Sequence, residues 1–376
     1  MATAYDSCLF TESTSIILET QVQQFKLVTP DNETIYGWHL LPLHLCREHE
    51  EELSANAPSG PAADYTQTPA FKHLVNDPKS RVVIQFHGNA GHLGSEQRPD
   101  IYRMFLGIST PANPVHVFAL DYRGYGISTG FPTEEGLITD GMTLVNFLTS
   151  PPVNIPPSRI VITGQSLGTA VSAAVAERFM FGSPDPMAIQ PAVKDAEPFA
   201  GIILLASFSN LPSLIQSYSV KGLTPPMLSP LGGYPRFKRW VMGHIVDTWN
   251  ASARVRRLTG VGGPMAKADA DAGYASKELD LVIIHAFNDV EIPWREGRLV
   301  WAAATGEDEH QQDVPGDVVY KAVGENGVSQ VEIWECRCIG PPKTAGRKKP
   351  VKRVRWERVG YGGMCLWAIL GLPGQS

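Results

Sequence analysis

The feature that most constrains the fold is a serine between two glycines, in the motif GQSLG at 164–168. A β-branched run, 159–163, precedes the motif and predicts a buried parallel strand. An alanine-rich run without glycine or proline, 169–180, follows it and predicts a helix. A strand, a G-x-S-x-G turn and a helix form a nucleophile elbow, which raises the hydroxyl of Ser166 above the sheet. The N–H group of Leu167, next in the chain, is then expected to stabilise a developing oxyanion.

A second glycine-containing motif follows another run typical of a buried strand, 81–86. Its residues are HGNAG, 87–91. A loop of small residues lets a backbone N–H group approach an oxyanion closely. We expect the N–H group of Asn89, or that of its neighbour Ala90, to be this donor. His87 is interpreted as a strand-end histidine that holds the loop by a hydrogen bond, and not as a general base.

A third motif lies downstream, where the predicted strand 279–284 is followed by HAFNDVEIP, 285–293. An acid just beyond the next-to-last strand is in the position from which a carboxylate orients a catalytic imidazole. Asp289 therefore is the predicted triad acid. Two alternatives stay open: Asp289 as the N-cap of a helix that begins at Pro293, and Glu291 as the acid.

Four motifs, HGNAG, DYRGYGIS (121–128), GQSLG and HAFNDVEIP, occur in this order. Together, over residues 20 to 305, they resemble the lysophospholipase and monoacylglycerol-lipase-like branch of the serine α/β-hydrolases. The branch includes membrane-anchored lipid lipases of animals and relatives in fungi. Ala286 stands where this branch usually has glycine. DYRGYG itself is interpreted as a structural glycine turn and not as a substrate contact.

The resemblance implies an α/β fold of the α/β-hydrolase type, a mostly parallel doubly wound sheet with a cap inserted between strands 6 and 7. It also implies a serine ester hydrolase that acts on acyl lipids, such as monoacylglycerol or lysophospholipid, through an acyl-enzyme. Such an enzyme needs no cofactor and no metal. Its partners are an acyl lipid or other ester substrate and, by peripheral contact, a membrane.

One departure from the family concerns the triad histidine. An alternating run, 354–359, predicts the last strand, and the glycine-rich turn 360–363 follows it. The next residue is Met364, where the family has histidine. His310 is the only histidine after Asp289, and its acidic, polar surroundings indicate a surface residue and not a recruited general base.

Three alternatives to an active lipid hydrolase therefore stay open. The chain fits a non-catalytic lipid-binding or scaffold protein of the same fold, because loss of a triad member costs several orders of magnitude in rate. A peptidase-like serine hydrolase is the second alternative. In the third, the residues after Gly363 are an out-of-frame or alternatively spliced tail, and a transcript that reads Gly-Gly-His would restore the enzyme.

Composition sets the remaining limits. A chain of 376 residues, 43% of them hydrophobic, can bury a full core, and its net charge of −6 argues against nucleic acid as a partner. Five unevenly placed cysteines indicate a reducing compartment, and Cys336-Arg337-Cys338 lacks the spacing of a zinc site. Neither a signal peptide nor a run of about 18 apolar residues is found, so we expect an intracellular protein, cytoplasmic or peripheral on a membrane. The sequence predicts no oligomeric state.

The predicted organisation alternates strands and helices, as in a doubly wound sheet. The domain boundaries are an N-terminal extension at 1–20, a first part of the core at 21–207 with a surface insertion at 42–80, a cap at 208–275, a second part of the core at 276–304, an insertion at 305–350, and the last strand with an atypical tail at 351–376. The predicted strands are 21–28, 34–41, 81–86, 115–120, 159–163, 199–206 and 279–284. The predicted helices are 95–107, 133–149, 167–181 and 293–304.

The cap prediction rests on apolar residues concentrated in 208–275, part of which can line a pocket for an acyl chain. Arg236, Lys238 and Arg239 flank this apolar run. They are interpreted as a solvated face, with contact to a phosphate head group or a lipid surface as the alternative. A basic cluster at 343–358 is likewise interpreted as solvated, with attraction to an anionic membrane or nuclear import as the alternatives.

Overall fold

The structure is a computed structural model, and its described residues fall into two compact units. The residues described are 21–55, 60–95, 97–182, 197–218, 233–260, 279–286, 289–306, 317–323, 330–339 and 351–359. Unit 1 consists of Met1–Thr163 and Asp185–Pro191, and unit 2 of Gly164–Pro184 and Ala192–Ser376.

Unit 1 combines a strand hairpin with two parallel strands. Its elements in chain order are β1 Val22–Val28, β2 Thr34–Leu40, α1 Leu43–Glu48, α2 Glu50–Ala55, α3 Pro69–Asn76, β3 Arg81–Phe86, α4 Arg98–Gly107, β4 Val115–Asp121, α5 Glu134–Thr149, and β5 Ile160–Gln165, which crosses into unit 2. The strands are ordered β1-β2-β4-β3. β1 pairs with β2 and β2 with β4 in antiparallel fashion, whereas β3 and β4, joined through α4, are parallel. Every residue of β4 is buried, as expected of a strand covered on both faces.

The segment 42–80, which the sequence analysis predicted as a surface insertion, contains three helices, α1 to α3. Helix α3 begins at Thr68, whose side chain accepts a hydrogen bond from the Phe71 N–H group. Cys46, Leu53 and Ala70 of this segment are buried in one cluster with Leu41, which precedes it. The three consecutive glutamates of α2 make the segment look uniformly polar by composition, although Leu53 on the same helix is buried.

Unit 2 continues the alternation and then adds an antiparallel pair. Its elements are α6 Leu167–Phe181, β6 Gly201–Leu205, α7 Leu211–Ser217, α8 Pro235–Met242, α9 Ala251–Thr259, β7 Leu279–Ala286, α10 Trp294–Thr305, β8 Asp317–Val323, β9 Gln330–Ile339 and β10 Val351–Val359. The strands are ordered β6-β7-β10-β9-β8. β6, β7 and β10 are parallel neighbours, while β9 pairs antiparallel with both β10 and β8.

Two of these strands lie where the sequence predicted only an insertion, 305–350. β8 and β9 form an antiparallel pair there and extend the sheet beyond β10. The sequence analysis predicted no strands in this stretch, because antiparallel neighbours carry none of the α/β alternation that indicates the other strands. The boundaries of the insertion stay a prediction. The prediction of a last strand at 354–359 is confirmed by β10.

The connection between β6 and β7 holds α7, α8 and α9 among its described residues. α9 packs against α6 and α10, and Arg257 on α9 forms an ion pair with Glu177 on α6. This helix therefore belongs to the body of unit 2. The extent of a cap within 208–275 stays a prediction, since 219–232 and 261–278 lie outside the described residues.

Candidate active site

Ser166 occupies the turn between β5 and α6 in a conformation that serine rarely adopts. Its φ is 51° and its ψ is −119°, outside the regions favoured by side chains with a Cβ atom. The glycine two residues earlier is required, because a Cβ at Gly164 would lie 2.1 Å from the Gly168 carbonyl oxygen. The structure thus contains the elbow that the motif predicts, with Ser166 partly exposed at its tip.

Backbone hydrogen bonds place this turn at one edge of unit 2. The Ser166 N–H group donates to the Leu205 carbonyl oxygen at 3.0 Å, at the end of β6. The N–H group of the next residue, Ala206, donates to the Ile284 carbonyl oxygen on β7 at 2.9 Å. The carboxyl ends of β5, β6 and β7 therefore adjoin one another, at the usual strand spacing of about 5 Å.

Asp289 lies in the loop that leaves β7 at this same edge. Its Oδ1 atom accepts hydrogen bonds from the N–H groups of Glu291 at 3.0 Å and Ile292 at 2.9 Å. These two bonds fix the carboxylate, and its side chain stays 20% exposed. The residue that caps α10 is Pro293, so the interpretation of Asp289 as the helix N-cap is wrong.

His285, to which the sequence analysis gave no role, connects β7 to the loop that contains Asp289. The ring is fully buried, and its Nε2 atom lies 2.9 Å from the Ile292 carbonyl oxygen and 3.6 Å from Asp289 Oδ2. Burial lowers the pKa of His285, against the opposing effects of the Ile292 carbonyl and of Asp289. A neutral ring that donates Nε2–H to a carbonyl positions the loop and leaves no Nε2 lone pair for proton transfer.

The loop after β6 is tied to α10 by a buried carboxylate, a second feature that the sequence analysis missed. Glu296 Oε2 accepts hydrogen bonds from the Ser209 N–H group at 2.9 Å and the Ser209 hydroxyl at 2.6 Å. The Ser213 hydroxyl donates to Glu296 Oε1 at 2.7 Å. Such charge-assisted bonds fix the loop that follows β6 at the edge where Ser166 lies.

The last strand brings the chain back to this edge. β10 runs parallel to β7, with Arg358 opposite His285 and Val359 opposite Ala286. The residues that follow, including Met364, lie outside the described residues, and so does His310.

Within the described part of unit 2, the histidines are His244 and His285. His244 is exposed and its Nδ1 atom bonds to the Trp240 carbonyl oxygen at 2.7 Å. Neither of the two is placed as a general base beside Ser166. Within the described residues of unit 2, Ser166 and Asp289 are therefore candidates for nucleophile and acid, and neither histidine is assigned as a base.

In unit 1, His87 has the structural role that the sequence predicts. Its Nδ1 atom donates to the Gly88 carbonyl oxygen at 2.7 Å, and its Nε2 atom lies 3.5 Å from Asp121 Oδ1. The side chains of His87 and Asp121 are fully buried. Burial is the main reason that the pKa of His87 is lowered.

The loop after His87 is organised by Arg98, a residue that sequence reasoning missed. Its guanidinium donates to the carbonyl oxygens of Gly88, Ala90 and His92. Ala90 and Gly91 have positive φ values of 62° and 67°, which bend the backbone around this cation. No pattern in the sequence announces such a role, because the partners of Arg98 are backbone atoms.

Asn89, the predicted oxyanion donor, lies exposed on this loop. Its side-chain oxygen accepts a hydrogen bond from the Tyr125 hydroxyl at 2.6 Å. Tyr125 belongs to DYRGYG, and in that turn Arg123 bonds to the carboxylates of Asp31 and Asp140. Hydrogen bonding to Arg123 lowers the pKa of Asp31 to about 2. The turn therefore is structural, as the sequence predicts.

Parallel strands joined by helices, with a strained serine elbow at the end of β5 and an acid in the loop after β7, define an α/β-hydrolase fold. The sequence is 29% identical to protein bem46 of Schizosaccharomyces pombe over 48% of this chain and 48% of that protein. It is 28% identical to the lysophosphatidylserine lipase ABHD12 of Danio rerio over 44% of this chain and 37% of that protein. For the ABHD12 of Mus musculus the identity is 23% over 74% of this chain and 56% of that protein.

These relatives confirm the resemblance to the lipase-like branch of the serine α/β-hydrolases: the chain is similar in sequence to bem46 and to ABHD12. It spans between 37% and 56% of the length of these three relatives. No family model matches the chain. Among solved structures, an α/β-hydrolase of Vibrio vulnificus has a TM-score of 0.47 at 16% identity, covering 80% of this chain and 81% of that one. A likeness this distant does not bear on substrate.

Proposed function

We propose that the chain is a serine hydrolase of acyl lipids, with Ser166 as the nucleophile and Asp289 as the triad acid. The observation that carries the proposal is the strained Ser166 backbone at an edge to which β7 also delivers a fixed, partly exposed carboxylate. A non-glycine residue at positive φ costs about 1–3 kcal/mol, and such strain is concentrated at functional sites.

The chemistry follows from these positions. The Ser166 hydroxyl attacks the ester carbonyl carbon, an acyl-enzyme forms, the alcohol leaves, and water releases the acid. The Leu167 N–H group, at the first position of α6, is the proposed oxyanion donor in unit 2. The sequence alone makes the N–H group of Asn89 the candidate second donor. Asp289 would orient an imidazole that takes the serine proton, and no histidine among the described residues is assigned to that place.

The substrate class is an acyl ester of glycerol or of a lysophospholipid. The names of the relatives support it, since ABHD12 is a lysophosphatidylserine lipase. A chain-length series of p-nitrophenyl and monoacylglycerol esters, set against aminoacyl amides, tests this choice. Faster turnover of the amides would favour the peptidase-like alternative instead.

A second candidate function is lipid binding without turnover. It is favoured by the absence of a base beside Ser166 in the described residues of unit 2 and by Met364 in the position of the family histidine. Without a base the serine hydroxyl keeps its high pKa and is a weak nucleophile. The elbow would still bind an ester or a carboxylate at the Leu167 N–H group.

One paired experiment separates the two functions. The chain, its Ser166→Ala variant and a matched control in which the exposed Ser150 is replaced, Ser150→Ala, are treated with a fluorophosphonate probe and with a radiolabelled lysolipid. Rapid labelling that is lost only in Ser166→Ala supports the hydrolase. Lipid binding with slow or no labelling supports the binding protein, and the absence of both rejects each proposal.

Helix α8 is the proposed membrane contact. Tyr234, Phe237 and Trp240 expose 68%, 52% and 59% of their surface, and the rings of Phe237 and Trp240 stack with centroids 5.6 Å apart. Arg236 and Arg239 are exposed on the same helix. Exposed aromatic rings beside arginines are typical of helices that lie on an anionic bilayer. Among the described residues, no helix combines the length and apolar character needed to cross a bilayer.

Flotation with vesicles tests this contact. Vesicles rich in phosphatidylserine should retain the parent chain and lose a Trp240→Ser variant, because the anionic surface attracts the arginines and the aromatic ring inserts at the interface. Vesicles of phosphatidylcholine alone serve as the control. Equal retention of the parent and the variant would contradict the assignment.

A further inference from the structure

Two histidines and a glutamate converge in the helical segment 42–80 of unit 1, away from HGNAG and DYRGYG in the sequence. His49 caps the carboxyl end of α1, Glu52 lies on α2, and His73 lies on α3. Their nearest ligand atoms, one from each residue, all lie within 4.8 Å of one another. Glu52 Oε2 is 3.9 Å from His49 Nδ1 and 3.5 Å from His73 Nε2.

We propose that His49, Glu52 and His73 form a binding site for a divalent transition-metal ion of the zinc class. Two imidazole nitrogens and one carboxylate oxygen are ligands that Zn²⁺ prefers, with water as a fourth ligand. Zinc–ligand bonds of 2.0–2.2 Å in a tetrahedron set neighbouring ligand atoms about 3.3 Å apart. The 3.5 and 3.9 Å separations approach this value.

Hydrogen bonding explains the arrangement less well. An N–H···O hydrogen bond is usually 2.7–3.2 Å long, shorter than either separation. The rings of His49 and His73 face each other with centroids 4.2 Å apart, an arrangement that would be repulsive if both were protonated. Two imidazole nitrogens near one carboxylate oxygen are a donor set that a shared cation can bind.

Access and support are both suited to an ion. His49 and Glu52 keep 35% and 47% of their side chains exposed, so an ion can enter and these ligands can close around it by small rotations. His73 is 18% exposed and therefore has little freedom to move.

A bound ion would join α1 and α2 to α3. These helices already share the buried residues Cys46, Leu53 and Ala70, and the ion would add a second tie between them at a partly exposed side. A metal clip of this kind binds the folded state and not the unfolded chain, so it raises stability as the ion concentration rises. The sequence offers no compact motif for this site, because His73 lies far from the other two ligands along the chain.

The test uses the full chain after removal of metals with EDTA. Co²⁺ is titrated and followed by visible absorption, and Zn²⁺ is then added in competition, with metal analysis after dialysis for stoichiometry. We expect one ion per chain and a loss of affinity of more than about 100-fold in His73→Gln and in Glu52→Gln, since even outer-shell changes cost 10–100-fold. His244→Gln, at an exposed histidine of unit 2, is the matched control and should bind as the parent does.

A thermal measurement guards against variants that fail to fold. Zn²⁺ at about 100 times its Kd should raise Tm by roughly 5 °C in the parent and not in Glu52→Gln, whose change lies at an exposed side chain. Equal Co²⁺ affinity of the parent and a His49→Gln/His73→Gln double variant would overturn the proposal. Binding that His244→Gln abolishes, or an unchanged Tm in the parent, would overturn it as well.

Discussion

The two units contain the same pair of residues, a buried strand-end histidine beside an aspartate, in two different settings. In unit 1, His87 bonds to the Gly88 carbonyl and lies 3.5 Å from Asp121, which is fully buried. In unit 2, His285 bonds to the Ile292 carbonyl and lies 3.6 Å from Asp289, which is 20% exposed and fixed by two N–H groups. Both side chains of the His87–Asp121 pair are buried, and the pair has a structural role. In the His285–Asp289 pair the carboxylate is partly exposed to solvent. Exposure of the aspartate, and not the pairing itself, separates a structural pair from a candidate catalytic one.

The largest expected effect concerns the general base, to which no histidine among the described residues of unit 2 is assigned. Met364→His places an imidazole where the family has its triad histidine, and we expect esterase activity to rise by about 10⁴-fold, since loss of the base is the most costly triad change. Hydrolysis of a p-nitrophenyl ester by the variant and the parent measures this. A solved structure with residue 364 more than about 7 Å from Ser166 would rule the rescue out, because triad members must reach hydrogen-bonding distance.

The next effect tests the comparison directly. In the Met364→His background, Asp289→Asn should lower kcat by about 10³-fold or more, because the amide favours the wrong imidazole tautomer. Asp121→Asn should instead lower the midpoint of urea unfolding, because it changes the sealed partner of His87. Kinetics and urea unfolding of both variants decide the matter. If Asp121→Asn affected turnover as strongly as Asp289→Asn, the distinction between the two pairs would fail.

A smaller effect is expected at Arg98. Replacement by methionine releases three backbone carbonyls and loosens the HGNAG loop, so kcat in an active background should fall by about 100-fold, near the cost of one oxyanion donor, with little change in KM. Arg103→Met changes an exposed arginine of the same helix, α4, and is the matched control. A fall in KM and kcat shared by both variants would contradict the positioning role of Arg98.

The pH dependence of stability should also differ between the units. In unit 1, His39 and His116 are buried in contact with each other, and burial lowers the pKa of both, that of His116 to about 3. Between an unfolded-state pKa near 6.5 and about 3, the unfolded chain binds protons that the folded chain does not. Stability therefore falls as pH falls through this window, by up to about 1.4 kcal/mol per pH unit for each histidine.

Hydrogen exchange at pH 7 and pH 5 can locate this loss. The amides of β2 and β4, which carry His39 and His116, should lose protection before those of β7. His116→Phe should flatten the pH dependence of unit 1. Uniform loss of protection across both units would show that these histidines do not govern acid stability.

Local sequence patterns allowed much of the fold to be predicted. The roles of side chains whose partners lie far away in the chain could not be predicted in this way. The strand 81–86 was correct to the residue, and helix 167–181 likewise, because each is a continuous apolar or alanine-rich run next to glycines. The roles of Arg98 and Glu296 were missed because their partners are backbone groups and hydroxyls, which leave no residue pattern. β8 and β9 were missed because β9 pairs antiparallel with both β8 and β10, outside the α/β alternation that predicts the other strands.

For the candidate site, the prediction of the elbow is matched by the Ser166 geometry, and the catalytic roles of Ser166, Asp289, Leu167 and Asn89 stay proposals. The position of the acid followed from chain order, which sheet topology constrains strongly. The position of the base could not be predicted from chain order, because a residue beyond the last strand is placed by the local turn. Such a turn has no periodic pattern or apolar run that would indicate it.

The Ser166 backbone also has a consequence for the stability of the chain. Glycine adopts a φ of 51° without strain, so Ser166→Gly should raise the free energy of unfolding by about 1 kcal/mol, which urea unfolding can measure. Ser166→Gly is therefore a single substitution that would make the protein more stable. The strain is thus what the chain accepts in order to keep a hydroxyl, which glycine lacks, at the tip of the elbow.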